Sequence, residues 1–97
     1  MPGKEEKISR WSRAVKENPR DGIAWNNLGS AHDDKENFDE AIRCYKKALE
    51  LNPDDVIAWN NLGFAHYERG NFDEAIRCYK KSLKLKPDYA LAWGFPD

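Results

Sequence analysis

No apolar run in this chain approaches the roughly 18 residues that a membrane span requires, and the opening stretch MPGKEEKIS contains no apolar signal core. A soluble protein of the cytoplasm is therefore the expectation. An excess of either charge is also missing: Asp, Glu, Lys and Arg make up 34% of the residues yet sum to a net charge of −1. Nothing global draws the chain to nucleic acid or to an anionic membrane. Nor is there a nucleophile elbow, a phosphate-binding loop or a His-x-x-x-His metal pair. His32 beside Asp33 and His66 near Glu68 are the only acid–base neighbours, so neither catalysis nor a metal or other cofactor is expected. Cysteine is scarce, and Cys44 and Cys78 lack the short spacing of zinc sites.

What the chain does have is one passage written twice. GIAWNNLGSAHDDKENFDEAIRCYKKALELNPDD (22–55) is followed by VIAWNNLGFAHYERGNFDEAIRCYKKSLKLKPDY (56–89), with about 24 of 34 positions identical, and such a period marks a stacked repeat array. Cys44 and Cys78 are one period apart. Equivalent helices of stacked repeats lie about 9–10 Å apart, whereas a disulfide needs Cα atoms within about 7 Å, so both are read as reduced, half-buried packing residues. With 97 residues the chain forms one small domain. Its four Trp, four Tyr and four Phe are expected to supply much of the burial.

The apolar spacing inside each copy is helical. Trp25, Leu28, Gly29 and His32 fall at i, i+3, i+4 and i+7, and Phe38, Ala41, Ile42, Tyr45, Ala48 and Leu49 form a second such stripe. Asn37 with Glu40, and Asn71 with Glu74, have capping-box spacing, and acids in those first turns suit the helix dipole. Gly70 terminates the helix before it; Glu36 holds that place in the first copy, which leaves Asn37 to adopt the unusual backbone angles. Pro53 and Pro87 follow the second helices, with Asp55 placed to cap the next one.

The recurring W-x-x-L-G-x-x-H, A-x-x-x-Y and P at a 34-residue period resembles the tetratricopeptide repeat family, with His32 and His66 where that pattern usually has Tyr. The resemblance covers nearly the whole chain and implies an all-α fold, an α-α superhelix of antiparallel helix pairs. Within a single domain, 1–97, it gives two complete repeats, 22–55 and 56–89. Residues 5–18 are expected to be the second helix of a partial repeat, because Ile8, Trp11, Ala14, Val15 and Pro19 align with Ile42, Tyr45, Ala48, Leu49 and Pro53. Residues 90–97 restart a third. Incomplete ends expose packing surfaces in a solenoid, so self-association into a dimer or higher oligomer through Trp11, Leu83, Trp93 and Phe95 is one expectation.

The same resemblance implies a non-enzymatic interaction scaffold whose first helices line a concave groove for a peptide or helix. On the helical wheel the side opposite the packing stripe carries Ile23, Asn26, Asn27, Ser30, Asp33 and Asp34. In the second copy it carries Ile57, Asn60, Asn61, Phe64, Tyr67 and Glu68. The copies disagree here, at Ser30/Phe64, Asp33/Tyr67 and Asp34/Glu68, while the framework is preserved. Aromatics pointing away from their own core point to recognition, packing against a neighbouring first helix being the alternative. An Asn in the N-L-G stretch has an amide suited to a ligand backbone, and a solvated asparagine without a ligand is the plainer reading. Family members that grip a chaperone's terminal carboxylates use Lys and Arg in the groove. This stripe has none, so a basic or amphipathic protein or peptide partner is expected. The cations lie elsewhere, at Arg43, Lys46, Lys47, Arg77, Lys80, Lys81, Lys84 and Lys86, with Arg10, Arg13 and Lys16 upstream. That stripe reads as a solvated face, and nucleic acid is not an expected partner.

Overall fold

The computed structural model describes residues 3–87, which contain five helices and no strand. They are α1 (Lys4–Glu17), α2 (Gly22–Asp34), α3 (Phe38–Leu51), α4 (Val56–Arg69) and α5 (Phe72–Leu85). Each helix packs on the next, and α2 also touches α4. The result is an all-α helical solenoid in which α2/α3 and α4/α5 are the paired units. Trp93 and Phe95 lie outside the described residues.

Two aspartates start the first helix of each pair. Asp21 and Asp55 have extended backbone angles, and their side chains accept hydrogen bonds from the Ala24 and Ala58 amides at 3.2 and 3.1 Å. Each satisfies an amide with no intrahelical partner. The expected capping boxes do not form. Asn37 and Asn71 precede α3 and α5 without a side-chain cap, and the Asn71 amide instead lies 3.3 Å from His66 Nδ1. The turns before them also differ from expectation: Glu36, not Asn37, carries the positive φ of 62°, against 89° at Gly70. Glu36 therefore holds a left-handed conformation that a glycine adopts without steric cost.

The core is built mainly of alanine and tyrosine. Ala41, Ala58, Ala65 and Ala75 are fully buried, Tyr45 is 1% exposed, and Leu49, Leu62 and Cys78 fill the space between α3, α4 and α5. Aromatic burial is thus concentrated in Tyr45 and Tyr79, while Trp11, Trp25 and Trp59 lie partly buried at cluster edges. Burying each tyrosine contributes roughly 1.5–3 kcal/mol, and the alanines permit the helices to approach that closely. Gly29 marks the tightest approach, since a Cβ there would lie 2.6 Å from Tyr45 Cε1. At Gly63 the nearest contacts would be 3.2 Å, to Cys78 and Tyr79. Trp25 and Trp59 are fixed by their indole N–H groups, which donate to the carbonyls of Pro19 and Pro53 at 2.8 and 2.7 Å. Cys44 and Cys78 are free thiols, buried rather than half-buried, and burial raises both to about 11.

Candidate functional site

Several of the sequence-nominated residues of α2 and α4 are open to solvent. Ile23 is 73% exposed, Ile57 52%, and Phe64 and Tyr67 47% each. Exposed apolar area of this kind gains free energy when a partner covers it. The Tyr67 ring tilts against Phe72 at the start of α5, with centroids 5.5 Å apart, so the apolar surface extends beyond the first helices. Phe72, 54% exposed, was not among the nominated residues. Its place on the packing stripe of the second helix concealed it.

The two helices meet with a stagger that the 34-residue period does not announce. The Asn61 amide donates to Asn26 Oδ1 at 3.2 Å, and the Asp33 carboxyl shares a hydrogen bond with Glu68. Both pairs are separated by 35 positions, so each residue of α2 faces the one after its equivalent in α4. Asn26 and Asn61 are thereby committed to one another, and Asn27 is half-buried beside them.

Asn60 departs from the expected arrangement. It is only 7% exposed, and its Oδ1 is buried without a hydrogen bond. A buried amide of this kind is closed to a ligand, so Asn60 belongs to the interior of the helix array rather than to open surface. Ser30 is also tied to its own pair, through a hydrogen bond with the Tyr45 phenol. Phe64, in its place one repeat later, stays exposed.

Carboxylates give this face its electrostatic character. Asp33 is raised to about 7, first by desolvation and then by its hydrogen bond and charge contact with Glu68, with Asp34 adding repulsion. One of its oxygens, Oδ1, is buried and unpartnered. The exposed Asp34 lies 3.9 Å from Lys7 of α1. At neutral pH the Asp33/Glu68 pair is therefore poised to release a proton, and a cation placed against it would favour that release. His32 and His66 are both lowered by burial, so near neutral pH they are uncharged. The Asn71 amide can donate to the deprotonated Nδ1 of His66, an arrangement that anchors a turn.

Of the residues nominated for self-association, the two that are described lie on different helices, α1 and α5. Trp11 packs partly buried against the cluster of Val15, Ala24, Leu28 and Cys44, and Leu83 is half-buried in α5. The cations of α3 and α5 divide between paired and unpaired. Arg43 contacts Glu40, Arg77 contacts Glu74 at 3.2 Å, and Lys47 contacts Glu50 at 3.9 Å. Among the described residues no group of three or more His, Cys, Asp or Glu forms a metal-binding cluster, and no helix is long and apolar enough to cross a membrane.

A family model described as tetratricopeptide repeat matches residues 8–41 and 26–90. No curated protein sequence matches the chain. Among solved structures the chain is similar to MamA, with 27% identity and a TM-score of 0.89 over 93% of this chain and 53% of that one. It is also similar to YrrB, described as a TPR protein with an unusual peptide-binding site, with 25% identity and a TM-score of 0.88 over 93% of this chain and 48% of that one. The first TPR of Spaghetti (RPAP3), bound to the HSP90 peptide SRMEEVD, shares the fold at 23% identity and a TM-score of 0.91, over 94% of this chain and 72% of that one. The chain thus spans about half the length of the MamA and YrrB chains.

Proposed function

The chain belongs to the tetratricopeptide repeat family, and from that premise we propose that it is a non-enzymatic scaffold that binds a basic or amphipathic peptide or helix on the α2/α4 face. The observation that carries this reading is the exposure of Ile23, Ile57, Phe64 and Tyr67 on the same two helices whose Asp33 and Glu68 carboxyls meet. Apolar ligand side chains would cover the exposed residues, and a Lys or Arg of the ligand would meet the carboxyls. YrrB, a TPR protein described by its peptide-binding site, supports a peptide as the class of partner. The acidic SRMEEVD segment seen with RPAP3 has the wrong charge for this surface, which offers carboxylates.

Selection from a library of Lys/Arg-rich amphipathic peptides, with charge-reversed counterparts as controls, tests the reading. A selected basic peptide should lose about tenfold in affinity with Phe64→Ala and again with Tyr67→Ala, as expected for exposed aromatic anchors. Helical circular dichroism should stay unchanged. Equal affinity for the charge-reversed peptide, or indifference to both alanine variants, would remove the groove assignment.

A further inference from the structure

A second groove lies on the opposite side of α4, between α3 and α5. It has a volume of about 640 Å³, and Leu49, Trp59 and Leu62 line it along with Cys78. Its rim is cationic: Lys46 from α3 and Arg77, Lys80, Lys81 and Lys84 from α5 stand against only two carboxylates, Glu50 and Glu74. Both carboxylates are already engaged, Glu50 with Lys47 and Glu74 with Arg77. Lys46, Lys80, Lys81 and Lys84 pair with no carboxylate of the described residues. The Lys81 ammonium instead lies 6.0 Å from the centre of the Trp59 ring. The groove is therefore an apolar trough edged by uncompensated positive charge.

One repeat earlier a hollow on α1 and α2 is lined by Ser9, Ser12, Arg13, Val15, Lys16 and Trp25, so that a serine stands where the second groove has Lys46 and a valine where it has Leu49. Arg77, Lys80 and Lys81 have counterparts in Arg43, Lys46 and Lys47, whereas Lys84 stands where α3 has Glu50. Lys46 and Lys84 are thus the cations particular to the second groove.

We propose that the α3/α4/α5 groove docks an amphipathic helical segment of a partner protein that presents carboxylates on either side of an apolar stripe. Glu74 to Lys84 of α5 span about 15 Å, the length of roughly three helical turns. A helix lying along the trough would set its i, i+3/i+4 and i+7 side chains on Leu49, Trp59 and Leu62 and its acids toward the lysines. Charge complementarity excludes a basic segment. Nucleic acid fits less well, because its phosphates would use the rim but leave the aliphatic floor bare, and the lining offers a base only the Trp59 indole and the buried His66 ring to stack upon. This site is independent of the α2/α4 face.

The test uses the full chain and a labelled 14-residue helical peptide with leucines at i, i+3, i+4 and i+7 and glutamates elsewhere. Its counterpart has lysine for every glutamate. Fluorescence anisotropy should show saturable binding of the acidic peptide alone, and amide and indole NMR shifts should center on Leu49, Trp59 and Leu62. Lys80→Glu with Lys84→Glu, both exposed, should weaken binding about tenfold without loss of helicity. Phe64→Ala with Tyr67→Ala should leave it unchanged, which separates this site from the inner face. Binding that survives the lysine reversals, equal binding of the lysine peptide, or a preference for single-stranded RNA or anionic vesicles over the acidic peptide would each overturn the proposal.

Discussion

The α2/α3 and α4/α5 units share most of their letters but not their surroundings. In the first, Ser30 is occupied with Tyr45, Asp33 reaches across to Glu68, and the turn into α3 is held by a non-glycine residue in a left-handed conformation. In the second, the equivalent positions are an exposed Phe64, an exposed Tyr67 and a relaxed Gly70. Framework letters buy the same helices twice. The remaining letters give the first unit Ser30 and Asp33 where the second has the aromatics Phe64 and Tyr67, while both units keep an exposed isoleucine and an acid at Asp34 and Glu68.

Glycine gives the largest test of how equal the two frameworks are. Gly29→Ala drives a methyl into the buried Tyr45 ring, and Gly63→Ala meets only snug contacts. Allowing for alanine's better helix propensity, Gly29→Ala should cost about 2 kcal/mol, and Gly63→Ala at least about 1 kcal/mol less. Urea denaturation of both variants measures the difference. Equal losses would mean that the two pairs are packed alike.

Next comes Asp33. Its folded value near 7 exceeds its ordinary value of 3.8, so between those limits the folded chain holds a proton that the unfolded chain releases. Its contribution to stability is therefore greatest at low pH and declines as pH rises from about 4 to 7. Asp33→Asn should remove that decline and add about 1–2 kcal/mol at pH 8, less than the full shift implies because the pair reaches water. Parallel denaturation curves at pH 5 and pH 8 check the sign. An unaltered pH slope in the variant would place the titration elsewhere.

The smallest effect concerns the turns. Glu36→Gly should stabilise the chain by about 0.5–1 kcal/mol, relieving a left-handed residue, as the second unit does already. Thermal melting would register this as a small upward shift. No gain would indicate that Glu36 has compensating contacts.

Much of this architecture was legible because it rests on local chemistry. Apolar spacing located the helices, and Asp55 signalled its cap three residues ahead of the amide it accepts from. Nonlocal geometry was harder to read. The asparagines before α3 and α5 have the letters of a cap, but Asn71 lies against the His66 ring from the preceding helix. Asn60 looks solvent-facing on a wheel drawn for one helix, yet it is buried, because such a wheel carries no record of neighbouring helices. For the site, exposure of Ile23, Ile57, Phe64 and Tyr67 followed from periodicity. Pairing of Asp33 with Glu68 did not, because comparing copies at their own period sets Asp33 against Tyr67.

That offset has a consequence for how a surface of this kind transmits a pattern. Side chains are repeated in one frame and juxtaposed in another, displaced by a residue, or about 1.5 Å of helix. A single favourable letter copied faithfully from unit to unit would never meet itself. Only a doubled letter bridges the frameshift, and Asn26-Asn27 above Asn60-Asn61 is such a doublet, its first member in one unit bonding the second member in the next. Duplicating a unit thus reproduces its fold at once, whereas continuing a ladder along the array takes a tandem pair of the same residue.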